Sequence, residues 1–171
     1  AVRQHGRPDG ARHRFAQWLA DGTTVIAVGD ETGEERVQTW RDGAARTLPW
    51  DVGRVVALVA APGGTQVALA NHRNEVIVGD VESGAMSVVD RSDAGRTEEL
   101  AWSPDGAWLA YPFWTDARHC AIRLLDVAAK TATLVTQPEF RDYAPAFDPE
   151  GRYLYFLSLR TFDPVYDAVQ F

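Results

Sequence analysis

Apolar residues in this chain come in short runs, each cut off by a turn cluster, and the runs recur in a fixed order. Val76-Ile77-Val78-Gly79-Asp80-Val81 matches Ile122-Arg123-Leu124-Leu125-Asp126-Val127. A turn follows each, Glu82-Ser83-Gly84 or Ala128-Ala129-Lys130, and then a further run, Met86-Ser87-Val88-Val89 or Thr131-Ala132-Thr133-Leu134-Val135. Nearer the start, Val37-Gln38-Thr39-Trp40, the turn Arg41-Asp42-Gly43 and Thr47-Leu48-Pro49-Trp50 play the same part. Runs this short, bounded by turn residues, read as strands rather than helices.

A stronger signature precedes each of these elements. Its clearest copy is Trp102-Ser103-Pro104-Asp105-Gly106, ahead of the apolar Trp108, Leu109, Ala110 and Tyr111. The others are Trp18-Leu19-Ala20-Asp21-Gly22 before Val25 and Ile26, Ala60-Ala61-Pro62-Gly63-Gly64 before Val67 and Ala68, and Phe147-Asp148-Pro149-Glu150-Gly151 before Leu154 and Tyr155. Proline pre-sets φ for the second position of a type I turn, an acidic residue tolerates the third, and glycine takes the positive φ that returns the chain into the next strand. Each copy is therefore a hairpin tip, and each unit reads strand, turn, strand, turn, strand, turn, strand. The closing glycines lie 42, 42 and 45 residues apart, the length of one four-stranded propeller blade. The aromatics Trp18, Trp102 and Phe147 end a strand and offer a flat surface to the neighbouring blade; Ala60 holds that place in the second copy.

The expected fold is all-β, a partial β-propeller of about four blades of four-stranded antiparallel sheet. Residues 1–14 read as the tail of a preceding outer strand with a lead-in loop, 15–58, 59–100 and 101–145 as blades, and 146–171 as an incomplete fourth blade. Residues 167–171 read as a third strand, so the chain is expected to be part of a larger propeller whose open blade ends invite self-association.

Composition narrows the alternatives. A chain of 171 residues buries roughly 70% of its unfolded surface, and 46% hydrophobic content supplies the core that a disordered chain lacks. The formal charge of −7 argues against nucleic acid, which requires a basic footprint. No stretch approaches the roughly 18 apolar residues of a membrane span, and the polar start Ala1-Val2-Arg3-Gln4-His5 does not read as a signal peptide. Cys120 is the one cysteine, which excludes an internal disulfide and fits a reducing compartment.

Catalytic chemistry is sparse. No G-x-S-x-G elbow is present, and Ser83, Ser87, Ser92, Ser103 and Ser158 fall in turns, strands or a charged loop, so no catalytic residue is assigned. His119 and Cys120 are neighbours in a strand and point to opposite faces, which prevents them from sharing an ion. His5, His13 and His72 lack ligand spacing, and no metal or other cofactor is expected.

One charged pattern recurs in register. Arg12, Arg54, Arg96 and Arg141 stand six positions before each hairpin aromatic or its equivalent, with Asp9, Asp51 and Asp93 three residues earlier in the first three units and Pro138 beside Glu139 in the fourth. These arginines sit where the chain enters the innermost strand of each blade. They can form a ring of guanidinium groups that attracts peptide carboxylates at a channel mouth. The competing reading, favoured by the aspartates, is that each arginine pairs with its own or the next blade's aspartate and stitches the connecting loop.

The hairpins, the Asp-Val pairs Asp80-Val81 and Asp126-Val127, and the period near 42 together resemble the repeat of TolB, prolyl-oligopeptidase-type propellers and tricorn protease. The closing segment, Gly151-Arg152-Tyr153-Leu154-Tyr155-Phe156-Leu157-Ser158-Leu159-Arg160-Thr161-Phe162-Asp163-Pro164, most resembles the second propeller of tricorn-type proteases. That resemblance implies a cytosolic hexameric serine peptidase that trims peptides. Its serine and histidine machinery lies in later domains, so no catalytic position carries over. It makes this chain a non-catalytic segment guiding or gating peptides to or from a proteolytic chamber, with peptides and the remaining peptidase domains as partners. The alternatives are a TolB-like protein-interaction scaffold and the propeller of a prolyl-oligopeptidase-type peptidase.

Overall fold

Turn chemistry and strand periodicity build one unit again and again. The computed structural model describes residues 12–160, and all regular structure among them is β-strand. The first sheet runs β1 (His13–Trp18), β2 (Val25–Gly29), β3 (Arg36–Arg41) and β4 (Ala44–Thr47), each antiparallel to the next. The second repeats it with β5 (Val55–Ala60), β6 (Gln66–Asn71), β7 (Glu75–Asp80) and β8 (Met86–Arg91). The third has β9 (Ala101–Trp102), β10 (Trp108–Trp114), β11 (Cys120–Asp126) and β12 (Thr131–Leu134). β13 (Arg141–Phe147) and β14 (Leu154–Leu159) form a further antiparallel hairpin, joined to β11 by one parallel bridge between Cys120 and Arg141.

The hairpin glycines do what their sequence demands. Gly22, Gly64, Gly106 and Gly151 have φ of +63°, +71°, +72° and +69°. The N–H groups of Gly22, Gly106 and Gly151 donate to the carbonyls of Leu19, Ser103 and Asp148. In the first tip Asp21 accepts from the N–H groups of Thr23 and Thr24 at 2.9 and 2.8 Å.

Blades pack face to face, so strands in the middle of the stack are buried on both sides. Along β6, Val67 and Leu69 join a core with Ile26, Val28, Val37, Trp50 and Ile77 from the first two blades. The alternate Ala68 joins Val76, Leu109, Tyr111 and Leu125 at the junction of the second and third. This is the period-two alternation of a strand with a core on either face. Trp50 is 1% exposed, donates its indole N–H to the Gly84 carbonyl at 2.8 Å, and lies so close to Gly79 that a Cβ there would be 2.5 Å from the ring.

The sheets span 13–47, 55–91 and 101–134, so the expected boundaries at 14/15, 58/59 and 145/146 fall inside β1, β5 and β13. The inner strand of each blade precedes the hairpin signature and pairs with the strand after it, which moves the start of the blade forward of that signature. The expected strands in 1–6 and 167–171 lie outside the described residues. Trp102 reaches back to the second blade, donating to the Val59 carbonyl at 3.1 Å, whereas Trp18 is 61% exposed.

Candidate functional site

Each blade begins with an arginine, and the residue it meets first is set by the repeat. Asp30, His72 and Trp114 hold corresponding places, 42 residues apart, at the end of the second strand. The backbone N–H of Arg12 donates to Asp30 Oδ1 at 2.8 Å, and its Nε lies 3.5 Å from Oδ2. The N–H of Arg54 donates to His72 Nδ1 at 3.0 Å, and the His72 N–H returns a bond to the Arg54 carbonyl at 2.9 Å. The Trp114 side chain has no acceptor to offer, and β9 is only two residues long against six for β1 and β5. Arg96 instead pairs with Glu98, Nε to Oε1 at 2.7 Å. The Arg141 guanidinium of the fourth blade lies 5.1 Å over the Trp114 ring.

The two described members of the aspartate repeat, Asp51 and Asp93, form no ion pair with Arg54 or Arg96. Asp51 forms a two-pronged pair with Arg73, at 2.9 and 3.3 Å, which holds its carboxyl below the usual range. Arg73 comes from the tight turn after β6 and reaches Asp51 across the loop. Asp93 makes no ion pair among the described residues, and Asp9 lies outside them.

Arg96 and Arg141 come together along a cleft of about 460 Å³ between the third and fourth blades, with Pro112, Trp114, Cys120 and Tyr143. Arg54 lines a different cleft of about 380 Å³ between the first and second, among Glu34, Glu35, Arg36, Asp51 and Arg73. The space of about 520 Å³ between the inner strands holds none of the four arginines. Its walls are Phe15, Val56, Ala57, Leu58, Val59, Leu100 and Ala144 to Ala146, with Glu98 and Glu99 as its charged residues.

The inner strands carry features that the repeat did not announce. Bulges interrupt β1 between Arg14 and Gln17 and β13 between Tyr143 and Ala146, with Phe15 and Ala144 at φ of +57° and +51°. A bulge turns a backbone N–H out of its ladder, and the neighbouring blade supplies the partner. Glu99 accepts the Ala144 N–H. Gln17 bridges two blades in both directions, donating to the Leu58 carbonyl at 3.0 Å and accepting the Ala60 N–H at 2.8 Å. Glu35 takes the Val55 N–H at 2.7 Å and also pairs with Arg14. Gln17 is legible as a long polar side chain within the inner strand β1, whereas Glu35 and Glu99 stand in loops just ahead of β3 and β9 and carry no such signal.

Three of the serines are occupied locally, while Ser87 on β8 accepts from Lys130 at 2.9 Å and the buried Ser158 hydroxyl on β14 has no partner among the described residues. Ser103 donates to Asp105 at 2.6 Å, Ser83 to Asp80 at 2.6 Å, and Ser92 to the Trp114 carbonyl at 2.6 Å. Among the described residues no serine hydroxyl is hydrogen-bonded to a histidine. His119 Nδ1 lies 2.7 Å from Asp116 in an exposed turn, while Cys120 is buried and its thiol is pushed up to about 12, chiefly by that burial.

Repeated sheets stacked through apolar faces, with charged clefts at their junctions, define a β-propeller segment. The chain belongs to the tricorn protease second beta propeller domain family, which matches residues 1–171. It is 39% identical over 166 residues to tricorn protease homolog 1 of Streptomyces coelicolor, covering 94% of this chain and 15% of that protein. The crystal structure of the tricorn protease superposes with a TM-score of 0.82 at 27% identity, over 95% of this chain and 17% of that one. The structure of a putative TolB from Agrobacterium tumefaciens shares the fold, with a TM-score of 0.63 at 19% identity over 86% of this chain and 54% of that one. The chain spans 15 to 21% of the length of the curated relatives it matches.

Proposed function

We propose that this chain is a non-catalytic part of a tricorn-like serine peptidase and that it guides or gates peptides on their way to or from a proteolytic chamber. Family membership supplies the peptidase context. The observation that carries the peptide path is the space between the inner strands, where β1, β5 and β13 turn apolar side chains and bulged backbone toward one another. An extended peptide meets there apolar side chains beside the sheet edges of β1 and β5, and exposed sheet edges are where strands recruit peptides. Arg54, Arg96 and Arg141 line clefts at the blade junctions rather than this space, so on this reading they act on charge at the mouth rather than on the wall.

Partners on this reading are peptides, the remaining domains of the peptidase and, through open blade ends, other copies of the chain; the compartment is the cytoplasm. The isolated chain hydrolyses no peptide. Turnover that survives repurification and disappears on substitution of a serine in this chain would overturn the reading. In the complete enzyme, Arg54→Glu with Arg96→Glu lowers uptake of anionic peptides; a protein-binding activity with unchanged peptide turnover would favour an interaction scaffold instead.

A further inference from the structure

The blade junctions are built from one repeat, so each serves as a control for the others. At the first junction, a cleft of about 380 Å³, every acid has a partner: Asp51 with Arg73, Glu34 with Arg36 at 2.7 Å, and Glu35 with Arg14 and the Val55 N–H, and Arg54 stands there without an aromatic face beneath it. At the second, Tyr111 fills the site and donates to Asp90 at 2.6 Å, Arg123 closes on the same carboxylate at 3.0 Å, and only about 10 Å³ is left. At the third the space is open, about 460 Å³, within the usual range of roughly 300–1,000 Å³ for small-molecule sites.

We propose that this third cleft binds a small carboxylate with an apolar body, with the Arg141 guanidinium taking the carboxylate and Trp114, Pro112 and Cys120 seating the rest. Arg141 makes no ion pair among the described residues. Its guanidinium carbon lies 5.1 Å from the Trp114 ring centroid, and with no side-chain acceptor on it among the described residues its N–H groups are available for a forked pair with an anion. Of the acids lining the cleft, Glu98 is engaged by Arg96 and Glu99 by the Ala144 N–H. Cys120 adds no charge, because its thiol stays protonated at neutral pH. Trp114 is fixed from behind: Gly95 packs so tightly that a Cβ there would come within 2.9 Å of its Cγ, and Ser92 holds its carbonyl. Aspartate and histidine at the corresponding places, Asp30 and His72, bond to the arginine of their own blade. Trp114 does not, so its face is free for the arginine of the next.

The identity of the ligand as a peptide end rests on the peptide-path reading, whereas the site itself does not. Binding is tested on the 171-residue chain and the path on the complete peptidase, so either can fail alone. The probes are N-acetylphenylalanine, its amide and phenylacetate, titrated into the isotope-labelled chain and followed by NMR at the Gly95 amide and the Trp114 indole. N-acetylphenylalanine shifts both signals saturably in the millimolar range. Its amide and the Arg141→Gln variant each bind about tenfold more weakly or worse, while Arg12→Gln has no effect. Arg141→Lys keeps the charge without the fork and binds with intermediate strength, a readout that holds if the Gln variant fails to fold. Tighter binding of N-acetylphenylalanine than of phenylacetate identifies a peptide end, and equal binding a free acid; both support the site. Equal binding of acid and amide, indifference to both Arg141 substitutions, or no shift at Gly95 and Trp114 up to about 10 mM would overturn it.

Discussion

Gly79 and Trp50 make a coupled pair whose energetics can be worked out from the packing. A Cβ at residue 79 would sit 2.5 Å from Trp50 Cη2 and 2.7 Å from Cζ2, well inside the 3.4–4 Å of ordinary contact. Trp50 cannot retreat, because it is 1% exposed and its N–H is tied to Gly84 at 2.8 Å. Gly79→Ala therefore overpacks the junction of the first two blades and costs about 1–3 kcal/mol. Trp50→Leu costs about 3 kcal/mol or more by emptying a large aromatic site, including about 1 kcal/mol for the orphaned Gly84 carbonyl. In the Trp50→Leu background the clash is gone, and alanine in a strand then gains about 0.5–1 kcal/mol over glycine. The cycle thus predicts a change of sign: Gly79→Ala destabilises the parent and is neutral or stabilising in the variant. Urea unfolding with a constant slope reads all four corners. Equal costs of Gly79→Ala in both backgrounds would show that this contact does not set the blade spacing.

Three further outcomes follow from named contacts. Gln17→Leu removes a two-way bridge and strands the Leu58 carbonyl and Ala60 N–H, so stability falls by about 1–3 kcal/mol and amide exchange at Ala60 accelerates; unchanged exchange would contradict the bridge. Asp116 is held down to about 2 from 3.8 chiefly by its hydrogen bond with His119, then by the N–H groups of Arg118 and His119. A carboxyl that is more acidic folded than unfolded contributes stability fully above its unfolded value and loses it as the pH falls toward the folded one. Unfolding midpoints should therefore drop between pH 3.8 and about 2, less steeply in Asp116→Asn, and identical profiles would refute this. On β14, Tyr155 and Leu157 are 59% and 55% exposed on one face. Light scattering should show concentration-dependent association that Leu157→Lys suppresses, while a monomer at all concentrations would remove the case for self-association.

The architecture was legible because its determinants are local. Gly22, Gly64, Gly106 and Gly151 need positive φ wherever they occur, and apolar runs such as Val76 to Val81 alternate between two cores regardless of distant sequence. Blade boundaries were harder, since the inner strand has no signature of its own: its bulges at Phe15 and Ala144 break the alternation that would reveal it. The recurrence of Arg12, Arg54, Arg96 and Arg141 is local and visible, whereas what each meets depends on distant loops. Asp51 turns to Arg73, which depends on the loop geometry after β6, and the cleft at Arg141 depends on Trp114 replacing an acceptor in the third blade. That replacement was present in the repeat at positions 30, 72 and 114, and its meaning needed the structure.

The most direct test of the account uses the complete peptidase carrying Arg54→Glu and Arg96→Glu. kcat/KM is measured for a long anionic peptide and for a small neutral chromogenic substrate. A guiding propeller predicts a loss of about tenfold or more for the anionic peptide, through lost attraction at the mouth, with the small neutral substrate unchanged. Equal kcat/KM for the anionic peptide in parent and variant would contradict the role of these blades in the peptide path.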